Sequence, residues 1–464
     1  MKTRAIHTLA LAVFGVAASF SGGLVKADIM HDRASTSGKD IRLAPNPGTF
    51  NGASPPANAA PTTGSSGEPS AATLELNASA QQTVFAAALD ELGNHLLRSL
   101  STEAGNANSN LVVSPYSLAN ALGLLHAGAA GATARDIAHL LESGPARGRL
   151  IREQIRQLNQ SFAAPRPGIE LISANRLWID RNAAKEVSKP FAALVAENYR
   201  ADGVSLSFQE PVAAAASINQ WAAQATRGMV PKLLEPSSLP SSTRLVLTNV
   251  TYFKGRWNEA FPVDATRDAP FFPRPGKSVN VPTMNATVNV REGSFQGVNV
   301  LEIPYAGGEF AMLIAQPVSA EHTLDALEQD VDGTDMVQWL AGMKPSRVRL
   351  SLPKFRIEAV SRSLKDALGT AGMILPFTQG ADFSPMLGKP NLVLSDVLQA
   401  AGVIVDEAGS EASAATAATV RAKSISPPVP VRQINRPFLF SIVHRPTATP
   451  LFVGKVYEPK GAGH

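Results

Sequence analysis

The fold of this chain turns on how one segment is read: Glu407-Ala-Gly-Ser-Glu-Ala-Ser-Ala-Ala-Thr-Ala-Ala-Thr-Val-Arg-Ala-Lys-Ser424. It is a run of small residues with acids near its start and Lys423-Ser424 at its end. Side chains alternate along an extended chain, so Ser410, Ala412, Ala414, Thr416, Ala418 and Val420 would share one face. None is large, and that face could slide between existing strands without a clash. No Pro interrupts the segment, so every residue keeps the N–H that a central strand requires. Gly409 supplies a flexible pivot where such an insertion would begin. An Ala/Ser/Thr linker has the same composition, and the segment by itself leaves both readings open.

At 464 residues the chain can bury a sizeable core in one large or two ordinary domains. A net charge of +4 without a Lys/Arg-rich block or aromatic-basic alternation argues against a nucleic-acid surface. There is no cysteine, which removes disulfides, thiol catalysis and Cys-based zinc sites together. At the N-terminus, Lys2 and Arg4 precede an apolar run from Leu9 to Phe20, and Val25-Lys26-Ala27 offers a cleavage site. The run is too short to span a bilayer, so a secretory signal over 1–27 is expected, and no membrane association after its removal. Residues 28–77 are rich in Pro, Gly, Ser, Ala and Asn. They have too little apolar surface to offset the entropy of ordering, and read as a flexible tether.

Beyond Ala78, Phe85, Leu89, Leu92, Leu96 and Leu100 recur at three- and four-residue steps, which predicts an amphipathic helix. Ser117–Leu141 and Ala213–Leu234 also read as helices. Leu245–Phe253, Glu309–Ala315, Arg347–Leu352 and Phe438–Val443 read as strands. Helices gather in the first half and strands in the second, which predicts an α+β fold with mixed or antiparallel sheets. A search for catalytic spacings finds no His-Glu-x-x-His, Gly-x-Ser-x-Gly or P-loop. Ser351-Leu-Pro-Lys354 has a Ser-x-x-Lys spacing, but Pro353 and the alternation of Val348, Leu350 and Leu352 place it on a strand rather than a helical turn. His126 lies among Leu124, Leu125 and Ala127 and reads as a packed histidine. No enzyme constellation, metal site or cofactor motif is left.

Several segments resemble the serpin family and run in family order across roughly residues 80 to 460. Asn110-Leu-Val-Val-Ser-Pro-Tyr-Ser117, followed by Gly128-Ala-Ala-Gly-Ala-Thr133, is similar to the family's shutter helix and the turn after it. Ser217–Gly228 is similar to the helix that lies across the main sheet. Leu247-Thr-Asn-Val-Thr-Tyr-Phe-Lys-Gly-Arg-Trp257 with Phe261 is the most specific match. Leu301–Tyr305, Leu352-Pro-Lys-Phe355, Glu407–Thr416, Pro437–Phe440 and Leu451–Gly454 complete the set.

The resemblance implies a serpin domain over 78–464, with helices packed around a large mixed main sheet, further sheets and an exposed reactive loop. It places Ser114, Ser117 and Asn249 in the shutter, where strands part, and Trp257 where the loop begins to enter. Gln399 stands where the family has a shutter His, a departure that leaves a side chain able to donate and accept. The implied hinge is Glu407, Gly409, Ser410, Glu411, Ala412, Ser413, Ala414, Ala415 and Thr416. Its small residues fit an inhibitor better than a non-inhibitory member acting as a carrier or chaperone. The implied mechanism is suicide inhibition: a serine protease attacks the loop, an acyl-enzyme forms, and the cut loop inserts as a strand. Loop length places the scissile bond at Lys423-Ser424, which suits trypsin-like enzymes. Arg421 is a second basic site, and cleavage after Ala422 would suit an elastase-like enzyme. The stretch Ser424–Arg436 is slightly longer than the family norm and could displace the bond. The expected protein is an exported, periplasmic or secreted monomer of bacterial type, needing no cofactor and forming a covalent complex with its protease.

Overall fold

Leu89, Leu96 and Leu97 are fully buried along one helix, Ala71–Thr102, whose apolar stripe packs on the strand Thr449–Val456. The computed structural model describes residues 71–141, 147–199, 201–319, 321–388, 392–409 and 428–460. The next helix, Pro115–Ala127, is apolar on nearly all sides and is accordingly buried from Pro115 to Leu125. Pro115 fits its first turn, where an N–H would have no intrahelical partner, and Ser114 caps it by accepting from the Ser117 N–H.

The helix expected over 117–141 is two helices, Pro115–Ala127 and Gly131–His139. The break has a packing cause. A Cβ on Gly128 would lie 2.6 Å from Met386 Cε and 3.0 Å from Phe191 Cε2, and Gly131 turns at φ +54°. The helix expected over 213–234 is Pro211–Ala225. It ends where Arg227 and Gly228 adopt φ of +52° and +86°, with the Gly228 N–H donating back to Ala223 O at 2.7 Å.

Among the described residues the strands form two sheets. The nine-stranded sheet runs in the order Leu111–Val113, Thr449–Val456, Phe438–His444, Phe310–Pro317, Val298–Pro304, Lys277–Phe295, Lys344–Pro353, Val431–Gln433, with Arg267–Arg274 also on Lys277–Phe295. The six-stranded sheet runs Phe355–Ile357, Leu394–Val405, Leu245–Gly255, Ile169–Asp180, Asp202–Leu206, with Ser361–Ser363 also on Leu394–Val405. The main core joins the two sheets: Leu247, Phe253, Val397 and Val403 share it with Met284, Leu350, Phe438 and Phe452. A second core covers the opposite face of the smaller sheet, where Ile218, Trp221 and Ala222 pack on Trp178, Val246, Val250, Leu398 and Ala400. Trp178 and Trp221 meet edge to face at 5.8 Å, and the Arg176 guanidinium lies within 5.4 Å of both rings. The helix thus lies across the strands that matter next.

The architecture is α+β, as the clustering of helices and strands predicts. Three strands that the periodicity misses, Leu111–Val113, Ile169–Asp180 and Asp202–Leu206, lie among the early helices. Two short helices, Leu324–Asp330 and Asp335–Gly342, cover the larger sheet in the strand-rich half.

Candidate functional site

The centre of the six-stranded sheet is its unusual part. Leu245–Gly255 runs antiparallel to Ile169–Asp180 on one side, and Leu394–Val405 runs antiparallel to Phe355–Ile357 on the other. Where the two long strands meet each other they are parallel, from Leu394 opposite Leu245 to Gly402 opposite Tyr252. A strand entering between them and running the other way would be antiparallel to both. The chain leaving Val405 supplies that direction, because it reverses at Asp406–Gly409 through reciprocal Asp406 N–H to Gly409 O (2.8 Å) and Gly409 N–H to Asp406 O (3.2 Å) bonds.

A buried polar network spans this junction. Gln399 and Asn249 are opposite one another in the parallel ladder, and Gln399 Nε2 donates to Asn249 Oδ1 at 2.8 Å. Asn249 Nδ2 donates to Asn175 Oδ1 on the next strand and to Ser117 Oγ on the buried helix. Ser117 Oγ also meets Ser173 Oγ at 2.7 Å. The Gln399 amide grips the start of that helix twice, accepting from the Ser114 N–H at 2.9 Å and donating to Ser114 O at 3.1 Å. Ser114 Oγ donates to Leu451 O at 2.7 Å in the larger sheet. Ser114, Ser117, Asn249 and Gln399 are all within 3 % of full burial. Four residues marked in the sequence therefore meet in one network across three strands and a helix terminus.

Sequence reasoning missed Ser173 and Asn175, the partners on the third strand. Their signal was two polar residues at i and i+2 between apolar neighbours in Ile169–Trp178.

The second cluster lies where the parallel ladder ends. Beyond Tyr252 and Gly402 the strands fork, and a cavity of about 220 Å³ opens there, lined by residues including Met229, Tyr252, Ala359, Gly402 and Ile404. The far end of the fork is closed by Trp257. Its backbone N–H donates to Ala408 O at 2.9 Å, its ring Nε1 donates to Asp406 O at 2.9 Å, and its ring stacks on Tyr305 at 4.6 Å. Gly409 bridges to Arg256 at φ +129°, and a Cβ there would lie 2.0 Å from Gly255 O. Only glycine fits.

Glu407 anchors the same turn. Lys354 Nζ lies 2.9 Å from its carboxylate, and Thr266 Oγ1 donates to it at 2.7 Å. Burial pushes the Glu407 carboxyl up, but these two donors outweigh it and hold it below the usual carboxylate range. Asp406 beside it is raised, chiefly by burial and further by the Glu407 charge. Ser351 and Lys354 do not meet chemically, since Ser351 Oγ donates to Asn285 Oδ1 at 2.7 Å while Lys354 holds Glu407.

Ser410, Glu411, Ala412, Ser413, Ala414, Ala415 and Thr416 of the hinge, and Arg421, Ala422, Lys423 and Ser424 at the reactive bond, lie outside the described residues. Among the described residues no group of three or more His, Asp or Glu is arranged to hold a metal ion, and no helix is long and apolar enough to cross a membrane.

The family model described as "Serpin (serine protease inhibitor)" matches residues 87–459. This chain is a serpin. Glia-derived nexin of Mus musculus is 34% identical over 359 residues, covering 76% of this serpin and 88% of the nexin. Among solved structures, native protease nexin-1 with heparin aligns with a TM-score of 0.69 at 29% identity, covering 80% of this serpin and 99% of that chain. Human thyroxine-binding globulin complexed with thyroxine aligns with a TM-score of 0.73 at 25% identity, covering 82% and 100%. The serpin fold expected from the motifs is the fold found.

Proposed function

We propose that this serpin is a suicide-substrate inhibitor of trypsin-like serine proteases, cleaved at Lys423-Ser424. The observation that carries the reading is the parallel pair Leu245–Gly255 and Leu394–Val405, continuous with a chain that reverses at Asp406–Gly409. The protease would acylate on Lys423, and the freed segment from Ser410 onward would enter between the two strands. About 12 residues would span roughly 40 Å at strand rise. At about 1 kcal/mol net per backbone hydrogen bond the gain is on the order of 10 kcal/mol. That matches the stability of a whole domain and suffices to deform a tethered protease. Lys423 suits a specificity pocket that carries a carboxylate. Arg421 and Ala422 are the alternative cleavage points, the latter for elastase-like enzymes. The same reading makes the protein an exported monomer, with residues 1–27 removed, 28–77 as tether and 78–464 as the inhibitory domain. It is not itself an enzyme and needs no cofactor.

A second reading, a non-inhibitory carrier, draws on the thyroxine-bound globulin that shares the fold. The small residues Ser410, Ala412, Ser413, Ala414 and Ala415 weigh against it, because bulky or charged residues there would obstruct insertion. Incubation with trypsin, followed by denaturing gel and mass spectrometry, separates the two. The inhibitor gives an SDS-stable adduct and a peptide ending at Lys423. Clean cleavage with full residual trypsin activity, and no adduct with elastase either, would leave the carrier reading standing.

A further inference from the structure

On the larger sheet the strand Lys344–Pro353 buries Val348, Leu350 and Leu352 and turns Arg347 and Arg349 outward, both exposed. Arg432, on the adjoining Val431–Gln433 strand, is exposed beside them and pairs with Glu292 at 2.7 Å. Arg347 has only a loose partner, Glu259 at 3.9 Å. The Arg349 side chain has no hydrogen-bond or ion-pair partner among the described residues, while its backbone N–H donates to Pro430 O at 2.8 Å. That bond fixes the returning end of the reactive loop directly against this basic face.

We propose that Arg347 and Arg349 form a secondary docking surface for the body of the attacking protease, selecting serine proteases that are acidic beside the cleft. The proposal rests on the inhibitory reading with cleavage at Lys423-Ser424. Its geometry follows from chain length. The segment from Ser424 to Pro430 spans no more than about 21 Å even when fully extended. A serine protease of about 220 residues has a radius of gyration of roughly 17 Å. An enzyme seated on the bond therefore brings its surface over the strand that holds Pro430. There, exposed guanidinium groups face it, and Arg349 in particular is not neutralised by any of the described residues. Complementary charge at such a rim raises the rate of association and leaves the chemistry of the cleaved bond unchanged.

The test compares anionic and cationic trypsin, which share a specificity and differ in charge, against the full-length protein at 50 and 300 mM NaCl. The wild-type protein is expected to inhibit the anionic enzyme about tenfold faster at low salt, with the difference shrinking at high salt. Arg349→Glu should reverse the preference, and the gentler pair Arg347→Gln with Arg349→Gln should erase it. Adduct yield per mole and unfolding temperature should match wild type in both. Equal rates for the two trypsins in wild type, or a preference that survives both variants, would overturn the proposal while leaving the inhibitor reading intact. Rates that respond to a sulfated polysaccharide but not to the charge of the trypsin would assign the arginines to that polyanion instead. No adduct with either trypsin would sink the docking surface together with the reading it rests on.

Discussion

Gln399 ties two strands and a helix terminus together with one side-chain amide, through Asn249 Oδ1 and both backbone groups of Ser114. Replacing it with Ala leaves the Ser114 N–H and the Asn249 carbonyl buried without their partner. Each such group costs about 1–3 kcal/mol, so Gln399→Ala should lose about 2–6 kcal/mol of unfolding free energy in urea titration. A loss below 0.5 kcal/mol would mean that the network is dispensable. The residues on either side of the junction are Asn249 and Gln399, 150 positions apart in sequence. No local periodicity reports such a pairing. It was legible only because the motifs around Ser114, Asn249 and Glu407 resemble a known family, and the resemblance left Ser173, Asn175 and Thr266 unmarked.

At the level of elements, the parallel pair is a slot with a direction. A synthetic peptide with the sequence of residues 410–421 should anneal between the strands and raise the unfolding temperature. Under the proposed inhibitory mechanism it should also convert the protein from an inhibitor to a substrate of trypsin. A scrambled peptide should do none of this, and equal effects from both would rule out the slot. Legibility also followed element type. Strands with clean apolar content, such as Leu245–Gly255 and Phe438–His444, were visible because both of their faces meet hydrophobic cores. Ile169–Asp180 was not, because Ser173, Asn175 and Arg176 interrupt its apolar pattern. Those are the residues that serve the polar network and the tryptophan stack. Helix ends were misjudged where Gly128 and Gly228 stop a helix inside an apolar run whose burial continues beyond it.

At the scale of the molecule, the proposed mechanism requires that the intact fold is not the most stable arrangement of this chain. Cleavage at Lys423-Ser424 should therefore raise stability. Calorimetry of the purified cleaved form should find its unfolding temperature higher by tens of degrees, since a gain on the order of 10 kcal/mol is comparable to the whole stability of a domain. Cleaved and intact forms that melt together would show that the segment does not insert.

The junction that the proposed mechanism would open contains Ser114, Ser117, Ser173, Asn175, Asn249 and Gln399, all hydroxyls and amides. None gains or loses a proton in ordinary aqueous conditions. A gate with an imidazole at its centre would loosen or tighten as its surroundings acidify. With Gln399 there instead, the gate has no proton to read, and its timing is left to the hand that cuts the loop.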